Sequence, residues 1–387
     1  MTAAARSVPL AQVAALNPRL LNALSDGTPI SFVPMASVSA EEARVTLPVD
    51  RPYAEVRKGY TYFETGDVLV AKITPCFENG KIAQALLPRQ YGFGSTEFHV
   101  VRPTSGKLDG RYLHHFLRQA RIRVEGERRM TGSGGQRRVP EDFLAHLSIP
   151  LPPLPEQRRI SAILDQADAL RAKRREALAQ LDSLTQSIFI EMFGDPAANQ
   201  LGWPKSTLKT LGKVITGGTP PGGQEGMFDG PIPFLTPGDL ESDAKPKRTV
   251  TDAGAAAAVT VRAGATLVCC IGATIGKTDI ARIRSAFNQQ LNAVDWRPSV
   301  NDIYGLVAMR SIKAVIVSRG ASTTLPILKK SAFEELAIAV PPLALQQAFA
   351  TRIQAVESLK ATHRAALAEL EALFASLQHR AFAGQLS

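Results

Sequence analysis

The chain has 387 residues, 45% of them hydrophobic, and a formal net charge of +10. That length is enough for two domains, each with its own core, and the basic excess favours a polyanionic partner, nucleic acid above all. The cysteines are only Cys76, Cys269 and Cys270, which excludes a disulfide framework or a thiolate metal site. No charge-free apolar run reaches the ~20 residues of a membrane span, and the N-terminus lacks a signal peptide's apolar segment, so the expected location is cytoplasmic.

The first segment, 1–150, is rich in short β-like runs punctuated by Gly and Pro: Ile30 to Met35, Asp67 to Ile73, Phe98 to Val101. A helical stretch is expected from Asp109 to about Arg123, then a Gly-rich loop, Thr131-Gly132-Ser133-Gly134-Gly135. Between Arg111 and Pro140 stand eight arginines against Glu125 and Glu127. Arg128-Arg129 and Arg137-Arg138 flank the loop. Clustered guanidinium groups beside a closely approachable backbone suit phosphate contacts and bidentate readout of guanine; the plain alternative is a solvated charged face. Lys72, Lys81, Ser133 and Gln136 complete this segment's candidate DNA contacts.

Segment 151–196 opens Pro152-Pro153-Leu154-Pro155-Glu156-Gln157 and reads as one long helix. Pro155 and Glu156 suit a first turn, and Gly194 is a stop. Ile163, Ala167, Leu170, Arg174, Ala177, Leu181, Leu184 and Ile188 step 4-3-4-3, a heptad seam that requires a partner.

Segment 197–338 repeats the order of the first. Ile30-Ser31-Phe32 is echoed by Ile232-Pro233-Phe234, Gly66-Asp67-Val68-Leu69-Val70 by Gly264-Ala265-Thr266-Leu267-Val268, and Gly80-Lys81 by Gly276-Lys277. Gly272-Ala273-Thr274-Ile275-Gly276-Lys277-Thr278 is one residue short of a Walker A loop, and no helical pattern follows it, so nucleotide hydrolysis is not expected; the simpler reading is a β-turn presenting Lys277. Asn288, Gln289 and Gln290 offer amides to adenine edges or cap a turn. The loop Arg319-Gly320-Ala321-Ser322-Thr323-Thr324 is hydroxyl-rich where its first-half counterpart is basic. Thr236, Lys277, Arg319, Ser322 and Thr323, with the three amides, are the candidate contacts here. Two halves with one frame and different loops would read different sequences.

Segment 339–387 repeats the helix. Pro341-Pro342-Leu343-Ala344-Leu345-Gln346 matches Pro152 onward at an offset of 189, which holds without a gap through Phe193 and Phe382. Val356, Leu359, His363, Leu370, Leu373 and Leu377 fall on the seam, and the two helices are expected to pair antiparallel as a rod on the order of 55 Å long. Arg174 and His363 are repeat-equivalent seam residues, expected to lie near the crossing and near each other. The histidines show no metal-ligand spacing. No Ser-His-Asp set, carboxylate pair or amino-methyltransferase tetrapeptide stands out, so neither catalysis nor a bound cofactor is expected.

In ensemble these residues resemble the DNA specificity subunits of type I restriction-modification systems. The carriers are Pro152 to Ile160 leading into a helix that ends Met192-Phe193-Gly194-Asp195; Thr216-Gly217-Gly218-Thr219-Pro220; Gly238-Asp239-Leu240; Ile271 to Lys277; and the final Pro341-Pro342-Leu343 helix. The resemblance covers essentially the whole chain. It implies an α+β fold of two pseudo-symmetric target recognition domains, mixed sheets with helices, joined by two long antiparallel coiled-coil helices. It further implies a non-catalytic subunit reading a bipartite site on double-stranded DNA, with the helices setting the spacer. Its partners would be methyltransferase subunits, which bind S-adenosylmethionine and methylate adenine, and a motor-nuclease subunit. The distal repeat departs in carrying Ala344-Leu345 for Pro155-Glu156. Two rival readings are a self-sufficient nucleotide-dependent or DNA-modifying enzyme and a protein-binding adaptor with the helices as spacer.

Overall fold

The computed structural model describes residues 6–386 except 47, 134, 197, 243 and 321–324. By contact the chain divides into two units, Met1–Glu176 with Arg364–Ser387, and Ala177–His363. The division runs through both long helices rather than at their ends, so each unit owns half of each.

In the first unit Ser7–Pro9 pairs with Ser148–Pro150. A four-stranded sheet has the order Val49–Pro52, Pro29–Val33, Tyr91–Gly94, Thr61–Glu64. A larger sheet runs Ala14–Leu16, Phe98–Pro103, Val68–Ala71, Ile82–Gln84 and two short edge strands. The second unit repeats these orders. Lys205–Thr207 pairs with Ala337–Ala339. One sheet runs Thr249–Val250, Phe228–Leu235, Ser285–Phe287, Thr260–Val261, and another Gly212–Thr216, Leu291–Trp296, Thr266–Cys269, Thr278–Ile280. One parallel pair is kept in both units: Gly92 to Gly94 beside Ser31 to Val33, and Ala286-Phe287 beside Phe234-Leu235. Each unit therefore contains a mixed sheet, as the resemblance implies. Close approach explains the glycine-rich strand: a Cβ on Gly94 would sit 2.2 Å from the Val33 carbonyl oxygen, and one on Gly92 2.3 Å from the Phe63 ring.

The helical stretch expected from Asp109 breaks in two, Gly110–Leu117 and Ala120–Arg128. Asp109 caps the first by accepting from the Arg111 and Tyr112 amides. Asn301 does the same for Asp302–Ser311 in the second unit, with the Ile303 and Tyr304 amides. The long helices span Leu154–Phe193 and Leu343–Phe382, so their bounds keep the offset of 189. The first stops where Gly194 takes φ +76° and its N–H binds the Ile190 carbonyl at 2.9 Å.

A buried glutamine ties each helix start to its own unit. Gln157 accepts from the Asp109 amide at 2.8 Å and donates to the Lys107 and Pro152 carbonyls at 2.9 and 2.8 Å. Gln346 accepts from the Asn301 amide at 2.9 Å and donates to the Ser299 and Pro341 carbonyls at 3.3 and 2.8 Å. Tyr112 and Tyr304 complete the frame, donating to the Pro150 and Ala339 carbonyls. The Pro155-Glu156 pair missing from the distal repeat plays no part in this clamp.

Within each unit the helix halves run antiparallel. In the first, Arg175 meets Glu371 at 2.8 Å and Arg171 lies over the Phe374 ring. In the second, Lys360 meets Asp182 at 2.8 Å and Phe189 packs edge-on against Phe349. The buried line agrees with the heptad reading at Ala167, Ile188 and Val356 and departs from it elsewhere. Leu164 and Ala167 are buried, as are Ile188, Phe189 and Phe193 towards the other end; Val356, Lys360, Phe374 and Phe382 are their counterparts. Leu170, Leu184, Leu359 and Leu373 are 52%, 40%, 47% and 49% exposed, so they stand outside the seam. Ile163, Arg174, Leu181, His363, Leu370 and Leu377 are half-buried. A straight helix drifts about 20° per heptad from a strict seam, and the helix ends turn their faces to the sheets and short helices of their own unit. Arg174 belongs to the first unit and His363 to the second; their proximity stays an expectation. No helix among the described residues is long and apolar enough to cross a membrane.

Candidate nucleic-acid interface

In the first unit the Gly-rich loop is the tip of a hairpin closed by Thr131 and Arg138, whose backbones exchange hydrogen bonds of 3.0 and 2.8 Å. Gly132 and Gly135 take φ +125° and +77°, which L side chains rarely adopt; Gly134 lies outside the described residues. The base of the hairpin is stitched to the turn after Val68–Ala71: the Thr74 amide binds the Arg137 carbonyl, and the Val139 amide the Lys72 carbonyl, both at 2.9 Å.

This frame sorts the basic candidates. Arg138 makes a forked pair with Glu97 at 2.9 and 2.8 Å, which holds the Glu97 carboxyl below its ordinary value. Arg129 pairs with Glu125 and lies over the Phe143 ring. Lys81 donates to the Met35 carbonyl, and Lys72 is half-buried. Arg137, with Glu78 at 3.9 Å, is 44% exposed; Arg128, Ser133 and Gln136 are exposed. Arg123, left off the candidate contacts, also belongs here: a Cβ on Gly80 would meet its Nη1 at 2.5 Å. Its signal was its place in the arginine run.

In the second unit the amide-rich turn is largely self-contained. Asn288 is buried and exchanges hydrogen bonds with Gln290, while Gln289 accepts from the Thr219 hydroxyl at 2.7 Å. Thr236 is committed to Asp239 through both its amide and its hydroxyl. Asn288 and Thr236 thus build turns, and Gln289 and Gln290 keep the more exposed amides. Lys277 reaches towards the Leu240 carbonyl at 3.5 Å. Its turn joins strands Thr266–Cys269 and Thr278–Ile280, so the helix that a Walker A loop must open is absent. Arg319 is exposed near the end of helix Lys313–Gly320; Ser322 and Thr323 lie outside the described residues.

The stitch to the preceding turn recurs here. The Gly272 amide binds the Pro326 carbonyl at 2.9 Å and the Leu328 amide the Cys270 carbonyl at 2.8 Å, with Ile271 bridging Ile327 as Ile73 bridges Arg138. Leu325-Pro326-Ile327 therefore stands where the first unit has Gln136-Arg137-Arg138. The sequence reading missed this triplet, although the offset of 189 connects the two. Burial pushes the Cys270 thiol up to about 12. Among the described residues no group of three His, Cys, Asp or Glu could hold a metal ion.

Comparison with known proteins decides the family. The type I restriction modification DNA specificity domain matches residues 52–180 and 200–372, once in each half. The chain belongs to that family. It is 35% identical over 199 residues to the type I restriction enzyme EcoEI specificity subunit of Escherichia coli, covering 50% of this chain and 33% of that protein. It is 38% identical over 181 residues to the EcoAI specificity subunit of the same organism, covering 46% and 31%. The chain thus spans about a third of the length of these relatives. A chain from a solved type I R-M system shares the fold, with a TM-score of 0.60 at 21% identity over 99% of this chain and 98% of that one. The two matches of one domain agree with the doubled hydrogen-bond frame.

Proposed function

We propose that this chain is the non-catalytic, sequence-reading subunit of a type I restriction-modification complex. Each unit reads one half of a bipartite site on double-stranded DNA, and the long helices set the unspecific spacer between the halves. Methyltransferase subunits carrying S-adenosylmethionine supply adenine methylation, and a motor-nuclease subunit cleaves unmodified DNA. One observation carries the reading: the same hydrogen-bond frame is built twice and presents different side chains, Gln136-Arg137-Arg138 and Leu325-Pro326-Ile327. Variable tips on a fixed frame allow specificity to change without refolding. Family membership and the net charge of +10 support DNA as the partner.

The test is to co-express the chain with a methyltransferase subunit of its system and map adenine methylation by single-molecule sequencing. A two-part motif with a fixed gap is expected; methylation without a motif, or with a single uninterrupted one, would overturn the reading.

A further inference from the structure

We propose that the second unit reads its half-site through hydrocarbon, with Leu325 and Ile327 fitted to thymine 5-methyl groups in the major groove. This inference rests on the proposed function and gives one half-site its chemistry.

Leu325 and Ile327 are 48% and 44% exposed, on the frame that presents Gln136 and Arg138 in the first unit. Part of the backbone beside them is already engaged. Pro326 has no N–H, its carbonyl is taken by Gly272, and the Ile327 N–H is taken by Gly320 at 2.9 Å. The side chains that Leu325 and Ile327 show to solvent are hydrocarbon.

Its neighbours point to a nucleic acid rather than to an apolar protein face. Val317, 40% exposed, and Lys313 both border Gly276 in the adjoining turn: a Cβ there would meet Lys313 Cγ at 3.1 Å and Val317 Cγ2 at 3.2 Å. Lys329 and Lys330 are exposed immediately after the triplet. Lys313 and Lys330 also lie 4.0 and 3.7 Å from Glu241 and Glu334, long exposed pairs that phosphate can compete for; exposed apolar side chains beside such cations match a duplex, where phosphates flank the base edges. The 5-methyl of thymine is the one apolar group that a base pair shows in the major groove. The first unit sets guanidinium groups on the same frame, which suit guanine and phosphate. The duplication thus separates the chemistry of the two half-sites while keeping the backbone.

The experiment uses the chain in complex with its methyltransferase subunits and duplexes carrying the mapped site, with deoxyuridine replacing thymidine one position at a time. That change removes only the methyl. The half-site belonging to the second unit is the one whose recognition relaxes in the Leu325→Gln, Ile327→Thr double variant. Deoxyuridine in that half should weaken wild-type binding about fourfold per contacted methyl, the usual worth of one buried methyl-sized group. In the double variant the penalty should vanish there, while recognition of the other half-site stays intact and shows that the protein is folded. A second half-site without thymine, a wild-type complex indifferent to deoxyuridine, or a penalty that persists in the variant would each overturn the inference and leave the bipartite reading standing. Failure to obtain any two-part motif would instead bring down the reading beneath it.

Discussion

Arg171 and Lys360 occupy equivalent places in the two long helices, and each is a largely buried cation bridged at 2.8 Å to the acid three residues before it, Asp168 and Glu357. Each also meets the antiparallel helix half of its own unit: Arg171 stands 4.4 Å from the Phe374 ring centroid, and Lys360 is 2.8 Å from Asp182. Each of these cations is thus satisfied within its own unit.

Lys360→Met should be close to neutral, because the aliphatic stem carries the packing and its acids, Asp182 and Glu357, are well exposed. Asp168→Ala should cost more, about 2–3 kcal/mol, since it strips Arg118 and Arg171 together of a partner that is itself 17% exposed. Urea unfolding of the two variants checks the order. A Lys360→Met cost equal to that of Asp168→Ala would show the lysine's charge to be essential.

Gln157→Leu and Gln346→Leu should each destabilise their own unit by about 2–4 kcal/mol, because each leaves an amide and two carbonyls without their partner. The equality of the two effects is the sharper expectation, as the clamps are equivalent. Chemical denaturation showing a loss below about 1 kcal/mol in either would mean that water replaces the glutamine.

His114 and His115 are fully buried in the first unit, where the second has Leu306 and Val307. Neither His114 ring nitrogen has a hydrogen-bond partner among the described residues. Burial pushes both imidazoles below the ordinary 6.5. Arg111 and Arg118 oppose their charging further, while Asp165 favours it; burial would raise the Asp165 carboxyl, but His115 and Arg111 hold it well below the carboxylate range. A histidine lowered in the folded state binds its proton more readily when unfolded. First-unit stability is therefore complete above pH 6.5 and falls as pH drops below it, by up to about 1.4 kcal/mol per pH unit for His114. His114→Leu, the second unit's residue, should flatten thermal stability between pH 6.5 and 5. An unchanged slope would show that His114 plays no part.

Arg137→Ala should lower DNA affinity and reduce the slope of log K against log salt by about one, as expected for one phosphate contact. Arg138→Ala should also weaken binding but move the slope less, because its guanidinium is engaged by Glu97. Salt titrations of the purified complex measure both. Equal slope changes would indicate that Arg138 leaves Glu97 when DNA binds.

Inserting seven residues into the middle of each long helix should lengthen the mapped spacer by about three base pairs, at ~1.5 Å per helical residue and ~3.4 Å per base pair, with both half-sites unchanged. An altered half-site in the methylation map would count against the helices as a ruler.

Local pattern made much of this legible in advance. The two helices, their bounds and the duplication follow from periodicity and from an ungapped offset, because a helix closes its own hydrogen bonds four residues away. The β-runs from Ile30, Asp67 and Phe98 could be found by their apolar character, although the break after Leu117 and the buried line of the long helices could not. A strict heptad describes a free pair of helices, whereas here sheets and short helices compete for the same faces.

What the sequence determined by itself is the repeat and the kind of element at each place in it, since these depend on neighbours along the chain. Only the tertiary structure decided which side chains of those elements are engaged: Thr236 and Asn288 in turns, Arg138 on Glu97, the His114 ring with no hydrogen-bond partner among the described residues, and Leu325 and Ile327 on the surface that Gln136 and Arg138 occupy in the other unit. These outcomes rest on hydrogen bonds between segments as distant as Gly272 and Pro326. Residue type names the possible donors and acceptors, but the partner is chosen by whatever strand the fold brings alongside.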